Sequence, residues 1–227
     1  RMEGWGAGGL DQEGAAGSPC RQTNLPQIRL EPILKARAEA LAPGRVRFDN
    51  EVVDLEQDAS GVTATVRDKT AGTDTLVRAR YLIGCDGGRT IGRRLGVELQ
   101  GTRDVMRIVS IYMSADLSRW ARDPDVLIRW LWVPHRGTLA TLVPMGPDRW
   151  GPESEEWVFH LNYETRDTRA IDDAQVVADM KEALGLPDLD ARIHVVSRWS
   201  MEGILADRFQ VGRVFLVGDA AHRHPPT

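Results

Sequence analysis

The chain has 227 residues, 42% hydrophobic and 27% charged, which is the composition of an ordinary soluble protein with one large domain or two small ones. A formal net charge of −4 excludes the broad basic surface that sequence-independent binding to nucleic acid or anionic lipid requires. The apolar runs are too short to span a bilayer. We therefore expect a small-molecule or protein partner, with no nucleic acid and no membrane.

The cysteines and the chain ends also constrain the prediction. Cys20 and Cys85 belong to no C-x-x-C pair, so neither a zinc site nor a disulfide framework is indicated, and a reducing, cytoplasmic setting fits. The sequence begins with Arg1 and ends at Thr227, directly after two prolines. We interpret it as a piece of a longer protein.

The first third of the chain contains a helix pattern and then a strand pattern. Residues 1–23 are rich in glycine and are predicted to be flexible. Apolar residues at helical spacing predict an amphipathic helix over 30–41, with Pro32 in its first turn, where proline is tolerated. Alternating patterns over 51–57 and 62–66 then predict a hairpin, which 75–77 extends into a three-stranded meander.

Two short apolar runs end in a glycine and an aspartate. Residues 81–83 lead into Gly84-Cys85-Asp86-Gly87-Gly88, which predicts a buried strand opening into a tight turn, followed by a short helix over 91–95. Residues 214–217 lead in the same way into Gly218-Asp219.

The stretch between these runs is typical of an antiparallel sheet. Six of the seven tryptophans fall here, mostly in β-prone runs. In the run 157–163, four apolar side chains share one face, which predicts a sheet packed on one side. One helix is predicted to begin after Asp172 or Asp173 and to end at Gly185. The predicted strands are 108–113, 126–133, 139–143, 157–163 and 193–199.

The two Gly-Asp ends are candidate ligand sites. In open α/β sheets, ligands bind beyond the carboxyl ends of the strands, where an aspartate can accept hydrogen bonds from ribose hydroxyls. Small neighbouring residues let a ligand approach the backbone closely. The alternative is that each aspartate only caps a helix or shapes a turn.

Together with Leu25-Pro26-Gln27 and Leu30-Glu31-Pro32, these motifs resemble those of the class A flavoprotein monooxygenases, the FAD-dependent aromatic hydroxylases, and most closely their phenol and chlorophenol hydroxylase branch. The resemblance runs from about residue 21 to residue 227. It implies that the first motif serves FAD and NADPH, that the aspartate of the second holds the FAD ribose, and that a glutamine and two prolines lie near the flavin. The implied cofactor-binding residues are Gln27, Asp86, Gly87, Arg89, Gly218, Asp219, Ala220, Pro225 and Pro226.

One feature of that family is absent from the sequence. No G-x-G-x-x-G segment follows a strand and opens a helix, although such a segment places the FAD pyrophosphate on a helix N-terminus. We therefore expect the chain to begin after one half of the cofactor site, to stop inside the other, and to carry little or no flavin by itself.

The resemblance also implies a fold and a domain division. The expected fold is mixed α/β, with part of a Rossmann-like FAD-binding domain, a β-meander, and an antiparallel sheet domain for the substrate. The predicted segments are 1–23, flexible and glycine-rich; 24–103, partial FAD-binding domain; 104–205, substrate-binding sheet; and 206–227, return to the FAD-binding domain.

The implied activity is hydroxylation of a phenolic substrate with NAD(P)H and dioxygen through a C4a-hydroperoxyflavin. The protein supplies orientation, electrostatics and exclusion of water. Partners are a small aromatic substrate, dioxygen and a possible second copy of the chain; no catalytic residue is identified. A polyketide hydroxylase of the same family, and a non-catalytic fragment unable to retain FAD, remain open as alternatives.

Two weaker patterns complete the sequence. His222 and His224 lack further ligands at suitable spacing, so no metal site is predicted. Trp130-Leu131-Trp132-Val133-Pro134 is similar to the W-x-W-x-I-P motif of flavin-dependent halogenases but is one residue too short. Alternating tryptophans on a strand more often pack a sheet face or line a pocket.

Overall fold

The computed structural model describes residues 25–124, 126, 128–134, 137–163 and 172–225. It divides into two compact units. The first unit comprises the described residues of Arg1–Leu34 and Met106–Ser200, and the second those of Lys35–Val105 and Met201–Thr227. In the described part of the chain, no helix is both long enough and apolar enough to cross a membrane.

The elements follow one another along the chain in mixed α/β order. They are α1 (Gln27–Leu41), β1 (Asn50–Gln57), β2 (Val62–Asp68), β3 (Thr73–Ala79), β4 (Leu82–Gly84), α2 (Ile91–Arg94), β5 (Leu99–Ser114), β6 (Arg129–Val133), β7 (Thr138–Gly146), β8 (Glu156–Tyr163), α3 (Asp173–Leu184), β9 (Arg192–Ala206), β10 (Gln210–Val211), β11 (Val214–Leu216) and β12 (His222–Arg223). In the described part of the chain, Gly151–Glu153 and Gly218–Ala220 form 3₁₀ turns between these elements.

The second unit contains two small sheets. The predicted meander is confirmed, with antiparallel order β1-β2-β3. The other sheet has the order β10-β11-β4, and β11 pairs with β4 in parallel. Their core is formed by buried apolar side chains that include Val62, Ile91, Val214 and Leu216.

The prediction that residues 81–83 form a buried strand is wrong. Tyr81 and Ile83 are 55% and 66% exposed, and only Gly84 at the strand end is buried. Within the described residues, β4 pairs with β11 alone, and its exposed apolar side chains have no covering layer. An uninterrupted apolar run is typical of a strand covered on both faces, but the run alone does not show what covers it.

The first unit is an antiparallel sheet packed on one face. Its strands have the order β9-β5-β8-β7-β6, and β12 pairs antiparallel with the end of β9 that belongs to the second unit. The β8 side chains predicted to share an apolar face, Trp157, Phe159, Leu161 and Tyr163, are all buried. Helix α3 packs Val176 and Met180 into the same core. We call this the packed face, and the opposite side the open face.

The capping signals of α3 are confirmed. The Asp172 carboxylate accepts a hydrogen bond of 2.7 Å from the backbone N–H of Gln175, as an N-cap residue does. Gly185 ends the helix with a φ of 68°, a conformation that glycine adopts without steric cost.

Helix α1 differs from its prediction in two respects. It begins at Gln27, so Pro32 is the sixth helical residue and lies beyond the first turn, where its missing N–H leaves the carbonyl of Ile28 without its usual helical donor. No residue of α1 is buried, and Ile33 and Leu41 are 59% and 68% exposed. The apolar side chains predicted to form the packed face of an amphipathic helix are therefore uncovered among the described residues.

Candidate functional site

The two Gly-Asp motifs lie side by side in the second unit. Gly84 on β4 is in register with Leu216 on β11, and the backbone N–H of Val217 donates to the oxygen of Gly84 over 3.0 Å. Because the pairing is parallel, both strands end at the same edge of the sheet. The turns that follow them therefore meet there, as a ligand site between strand ends requires.

Asp86 organises the first turn. Its carboxylate accepts hydrogen bonds from the backbone N–H groups of Gly88 (3.1 Å), Thr90 (2.6 Å) and Ile91 (2.8 Å). Partial burial acts to raise the pKa of Asp86, but these hydrogen bonds outweigh it and hold the pKa below the ordinary value. The side chain thus shapes the turn and caps the start of α2, which is the structural role left open as the alternative for this aspartate.

The glycines of the first turn bring the backbone close to its surroundings. Gly87 and Gly88 have φ of 68° and 71°. A Cβ on Gly87 would meet open space, whereas one on Gly88 would lie 3.2 Å from the Leu99 side chain and 3.6 Å from the oxygen of Ala220. Gly88 therefore lets the two motifs pack together, and Gly87 leaves room for a ligand.

The second turn presents an unpaired carboxylate. Gly218 has a φ of 62°, and a Cβ at this position would have no atom within 4 Å, while Ala220 is buried. Asp219 is exposed, and no described residue forms a hydrogen bond or ion pair with its carboxylate. Its oxygens are therefore available to a ligand.

Arg223 is a site residue that the sequence patterns missed. Its guanidinium donates to the backbone oxygens of Gly87 (2.5 Å) and Asp219 (3.2 Å), one in each motif. Glu202, whose side chain is 14% exposed, holds the same guanidinium through a 2.5 Å ion pair. In the sequence, the one feature that could have pointed to Arg223 is its position between His222 and His224, directly after the second motif.

Arg89 borders a cavity beside the first motif. Its side chain is exposed, with no hydrogen-bond or ion-pair partner among the described residues. The cavity has a volume of about 460 Å³, and its other lining residues include Lys69, Cys85 and Asp86. Lys69 is paired with Glu51 over 3.3 Å, so Arg89 is the cation of this rim that an anionic group would meet without a carboxylate partner among the described residues.

The remaining predicted residues belong to the first unit, to the end of the second unit, or to the part of the chain outside the described residues. Gln27 belongs to the first unit, where its exposed amide donates to Glu31 over 2.5 Å. Pro225 follows β12, and Pro226 lies outside the described residues. Roles for these three beside a flavin remain predictions.

The open face of the first unit carries polar and aromatic side chains. Ser110 Oγ lies 2.7 Å from His160 Nδ1 and accepts a 2.9 Å hydrogen bond from Trp199 Nε1. Two residues further along β5, Tyr112 donates a hydrogen bond to Glu156 on β8, which also accepts one from Arg29. The alternation in the run 157–163 predicted the packed side of the sheet but not these hydrogen bonds.

Similarity to known proteins extends over nearly the whole chain. A family profile described as an FAD binding domain matches residues 6–227. The chain is 35% identical over 213 residues to 2,4-dichlorophenol 6-monooxygenase of Cupriavidus pinatubonensis, covering 92% of this chain and 35% of that protein. It is 34% identical over 213 residues to tetracenomycin A2 monooxygenase-dioxygenase of Streptomyces glaucescens, covering 92% of this chain and 38% of that protein. The chain thus spans little more than a third of the curated relatives it matches.

Solved structures show the same relationship. The flavin-dependent monooxygenase PieE, in complex with FAD and substrate, superposes with a TM-score of 0.81 at 35% identity, covering 95% of this chain and 37% of that one. Aklavinone-11 hydroxylase, in complex with FAD and aklavinone, superposes with a TM-score of 0.78 at 30% identity, covering 96% of this chain and 41% of that one. The expected family is thereby confirmed: the chain belongs to the FAD binding domain family of flavin-dependent monooxygenases.

Proposed function

We propose that this chain forms the FAD-contacting and substrate-contacting region of a monooxygenase that hydroxylates a phenolic ring with NAD(P)H and dioxygen. The observation that carries the proposal is the meeting of two Gly-Asp turns at one sheet edge, where β4 pairs in parallel with β11. A lone Gly-Asp turn is common, but two at adjoining strand ends form a place for a nucleotide.

The residues of this edge fit FAD. Gly87 and Gly218 leave open space where any other residue would carry a side chain, so an extended ligand can contact the backbone. The exposed Asp219 carboxylate can accept hydrogen bonds from ribose hydroxyls, whereas Asp86 is committed to backbone amides. Bound and reduced, FAD supplies the electrons that activate dioxygen for oxygen transfer to the ring.

The open face supports an aromatic substrate. Trp130 and Trp132 are 67% and 60% exposed, so they do not serve a core in the described structure. Their rings offer flat apolar surface, and His160 and Tyr112 offer polar groups on the same side of the sheet. In this proposal the open face orients the ring and keeps water from it.

The two groups of relatives suggest different sizes of substrate. One relative is named as a 2,4-dichlorophenol monooxygenase and another as a polyketide hydroxylase. Hydroxylation of a polycyclic polyketide is therefore the second candidate. Product analysis with phenol, 2,4-dichlorophenol and an anthracycline-type ring separates them: turnover of the polycyclic ring alone would overturn the phenol proposal.

Flavin retention tests the proposed cofactor site. The protein encoded by the complete gene is purified, and bound FAD is measured from its visible absorbance, for the wild type and for Asp219→Ala. Losing a hydrogen bond between a ribose hydroxyl and a charged carboxylate weakens FAD binding by about 10-fold or more. Asp74→Asn, which removes another exposed carboxylate of the second unit, serves as control. Equal FAD content in Asp219→Ala and wild type would contradict the assigned role.

A further inference from the structure

Four side chains form a row across the open face. Trp130 on β6 pairs in register with Thr141 on β7, Thr141 with His160 on β8, and His160 with Ser110 on β5. Trp199 on β9 extends the row by donating its indole N–H to Ser110. Neighbouring strands lie about 4.8 Å apart, so the row measures roughly 19 Å between its two tryptophans. Its polar centre is the imidazole of His160.

The hydrogen bonds of the row fix where the His160 proton lies. An indole N–H can only donate, so Ser110 Oγ is the acceptor towards Trp199. Ser110 is buried, at 8% exposure, and among the described residues His160 Nδ1 is the one acceptor within reach of its hydroxyl proton. A buried hydroxyl proton without an acceptor is costly. Ser110 therefore donates to Nδ1, and the neutral ring carries its own proton on Nε2.

The resulting Nε2–H group is available to a ligand. No described residue forms a hydrogen bond with Nε2 of His160. Burial lowers the pKa of His160, which keeps the imidazole neutral near pH 7. With Nδ1 accepting from Ser110 and Nε2 protonated, the ring is a hydrogen-bond donor and has no free lone pair with which to accept a proton.

We propose that His160 positions the aromatic substrate by donating a hydrogen bond from Nε2 to a ring oxygen, with Ser110 and Trp199 holding it in the donor tautomer. This inference rests on the proposed function and assigns a residue within it. The ligand class is a phenol, phenolate or quinone whose oxygen lies over the centre of the row. His160 is thereby a binding group and not the base that deprotonates a phenol.

The binding test uses 4-nitrophenolate as probe, because its visible absorbance responds to hydrogen bonds at the oxygen. It is titrated into the FAD-loaded protein encoded by the complete gene, for wild type, His160→Phe and His160→Gln. We expect His160→Phe to bind about 10-fold more weakly. His160→Gln keeps an N–H donor near the Nε2 position and should recover most of the affinity. Equal affinity of wild type and His160→Phe, or no binding by wild type, would overturn the inference.

Two serine variants test whether the Ser110–His160 hydrogen bond, and not packing in general, determines the affinity. Ser110→Ala frees Nδ1 from its donor, so the donor tautomer is no longer enforced, and affinity falls part of the way. Ser114→Ala is the matched control, since Ser114 lies on the same face of β5 and its Oγ is 2.7 Å from a different imidazole, His194 Nε2. It should bind like wild type. An equal loss of affinity in both serine variants would contradict this role of the Ser110–His160 hydrogen bond.

The tautomer can be measured without any substrate. Nitrogen-15 NMR of the imidazoles should show His160 protonated at Nε2 in wild type and a mixture of tautomers in Ser110→Ala. A wild-type ring protonated at Nδ1 would overturn the inference whatever the protein binds. Because this readout and the FAD content are independent, failure of the inference is distinguishable from failure of the proposed function.

Discussion

The guanidinium of Arg223 donates to the backbone oxygen of Gly87 over 2.5 Å, joining residues 136 positions apart in the sequence. The same side chain also donates to the backbone oxygen of Asp219. Each Gly-Asp motif thus has one carbonyl attached to a single cation. Glu202 fixes that cation from β9, so the spacing of the two turns depends on a residue in neither motif.

Replacing Arg223 should therefore loosen both motifs at once. Arg223→Ala leaves the mostly buried Glu202 carboxylate with its weaker, 3.6 Å pair to Arg103 and frees two carbonyls, which costs about 2–4 kcal/mol of unfolding free energy. Arg223→Lys should recover little, because an ammonium does not have the guanidinium's planar set of donors. The measurements are urea denaturation and FAD content of the protein encoded by the complete gene. Arg208→Ala, which removes an exposed arginine of the same unit, is the control. An equal loss of stability and of FAD in the two alanine variants would contradict the role assigned to Arg223.

Asp86 makes stability depend on pH. Its folded pKa lies below the ordinary value of 3.8, so its contribution is present above about pH 4 and is lost as the pH falls through the folded pKa. Asp86→Ala should cost about 1–2 kcal/mol at neutral pH, as loss of a helix cap does. The difference from wild type, measured by urea denaturation across pH, should shrink below pH 4. A difference that is constant with pH would show that the carboxylate charge is not involved.

Local patterns predicted the elements whose cause is local. The meander follows from period-2 alternation, and α3 from an aspartate at one end and a glycine at the other, so both were found in the sequence. The Gly-Asp ends of β4 and β11 were found in the same way. Each of these features depends on residues within a few positions of one another.

The remaining features depend on what lies opposite in space. Ser110 and His160 are 50 residues apart, and nothing in either segment alone predicts their hydrogen bond. The exposure of Ile83 was missed for a related reason: an apolar run indicates that a strand prefers a covered face, and tertiary structure decides whether a cover is present. Pro32 was misplaced because the helix starts earlier than its apolar periodicity does.

The Tyr112–Glu156 pair should be visible as a late-ionising tyrosine. Burial raises the pKa of Tyr112, and the hydrogen bond and negative charge of Glu156 raise it further, against a smaller opposing effect of Arg29. Stability from the neutral phenol is therefore complete below about pH 10 and is lost as the pH rises through the folded pKa. Glu156→Gln removes the negative charge and should lower the pKa of Tyr112, as measured by tyrosinate absorbance.

Tyr112→Phe identifies the tyrosine responsible. The part of the late phase that responds to Glu156→Gln should be absent in this variant, and adding Glu156→Gln to it should leave the remaining tyrosinate titration unchanged. A shift of the same size with and without Tyr112 would assign the effect to another tyrosine and contradict the pairing.

Gly101 is the position where a methyl group should do the most damage to the second unit. Its φ is 130°, and a Cβ there would lie 2.1 Å from the backbone oxygen of Gly203, which cannot move aside as a side chain would. Gly101→Ala should cost about 3 kcal/mol or more, from strain and overpacking together. Gly72→Ala is the matched control, because Gly72 also has positive φ (69°) but open space around it, and should cost about 1 kcal/mol.

Gly101→Ala should also weaken FAD binding. Gly203 follows Glu202, the residue that holds Arg223 against both Gly-Asp turns. Pushing β9 away from Gly101 therefore displaces Glu202 and Arg223. We expect Gly101→Ala to lose FAD at denaturant concentrations where Gly72→Ala retains it. Denaturation curves and visible flavin absorbance, recorded on the same samples of the protein encoded by the complete gene, measure both effects. Equal stability of the two variants would show that β5 and β9 can separate at this point without cost.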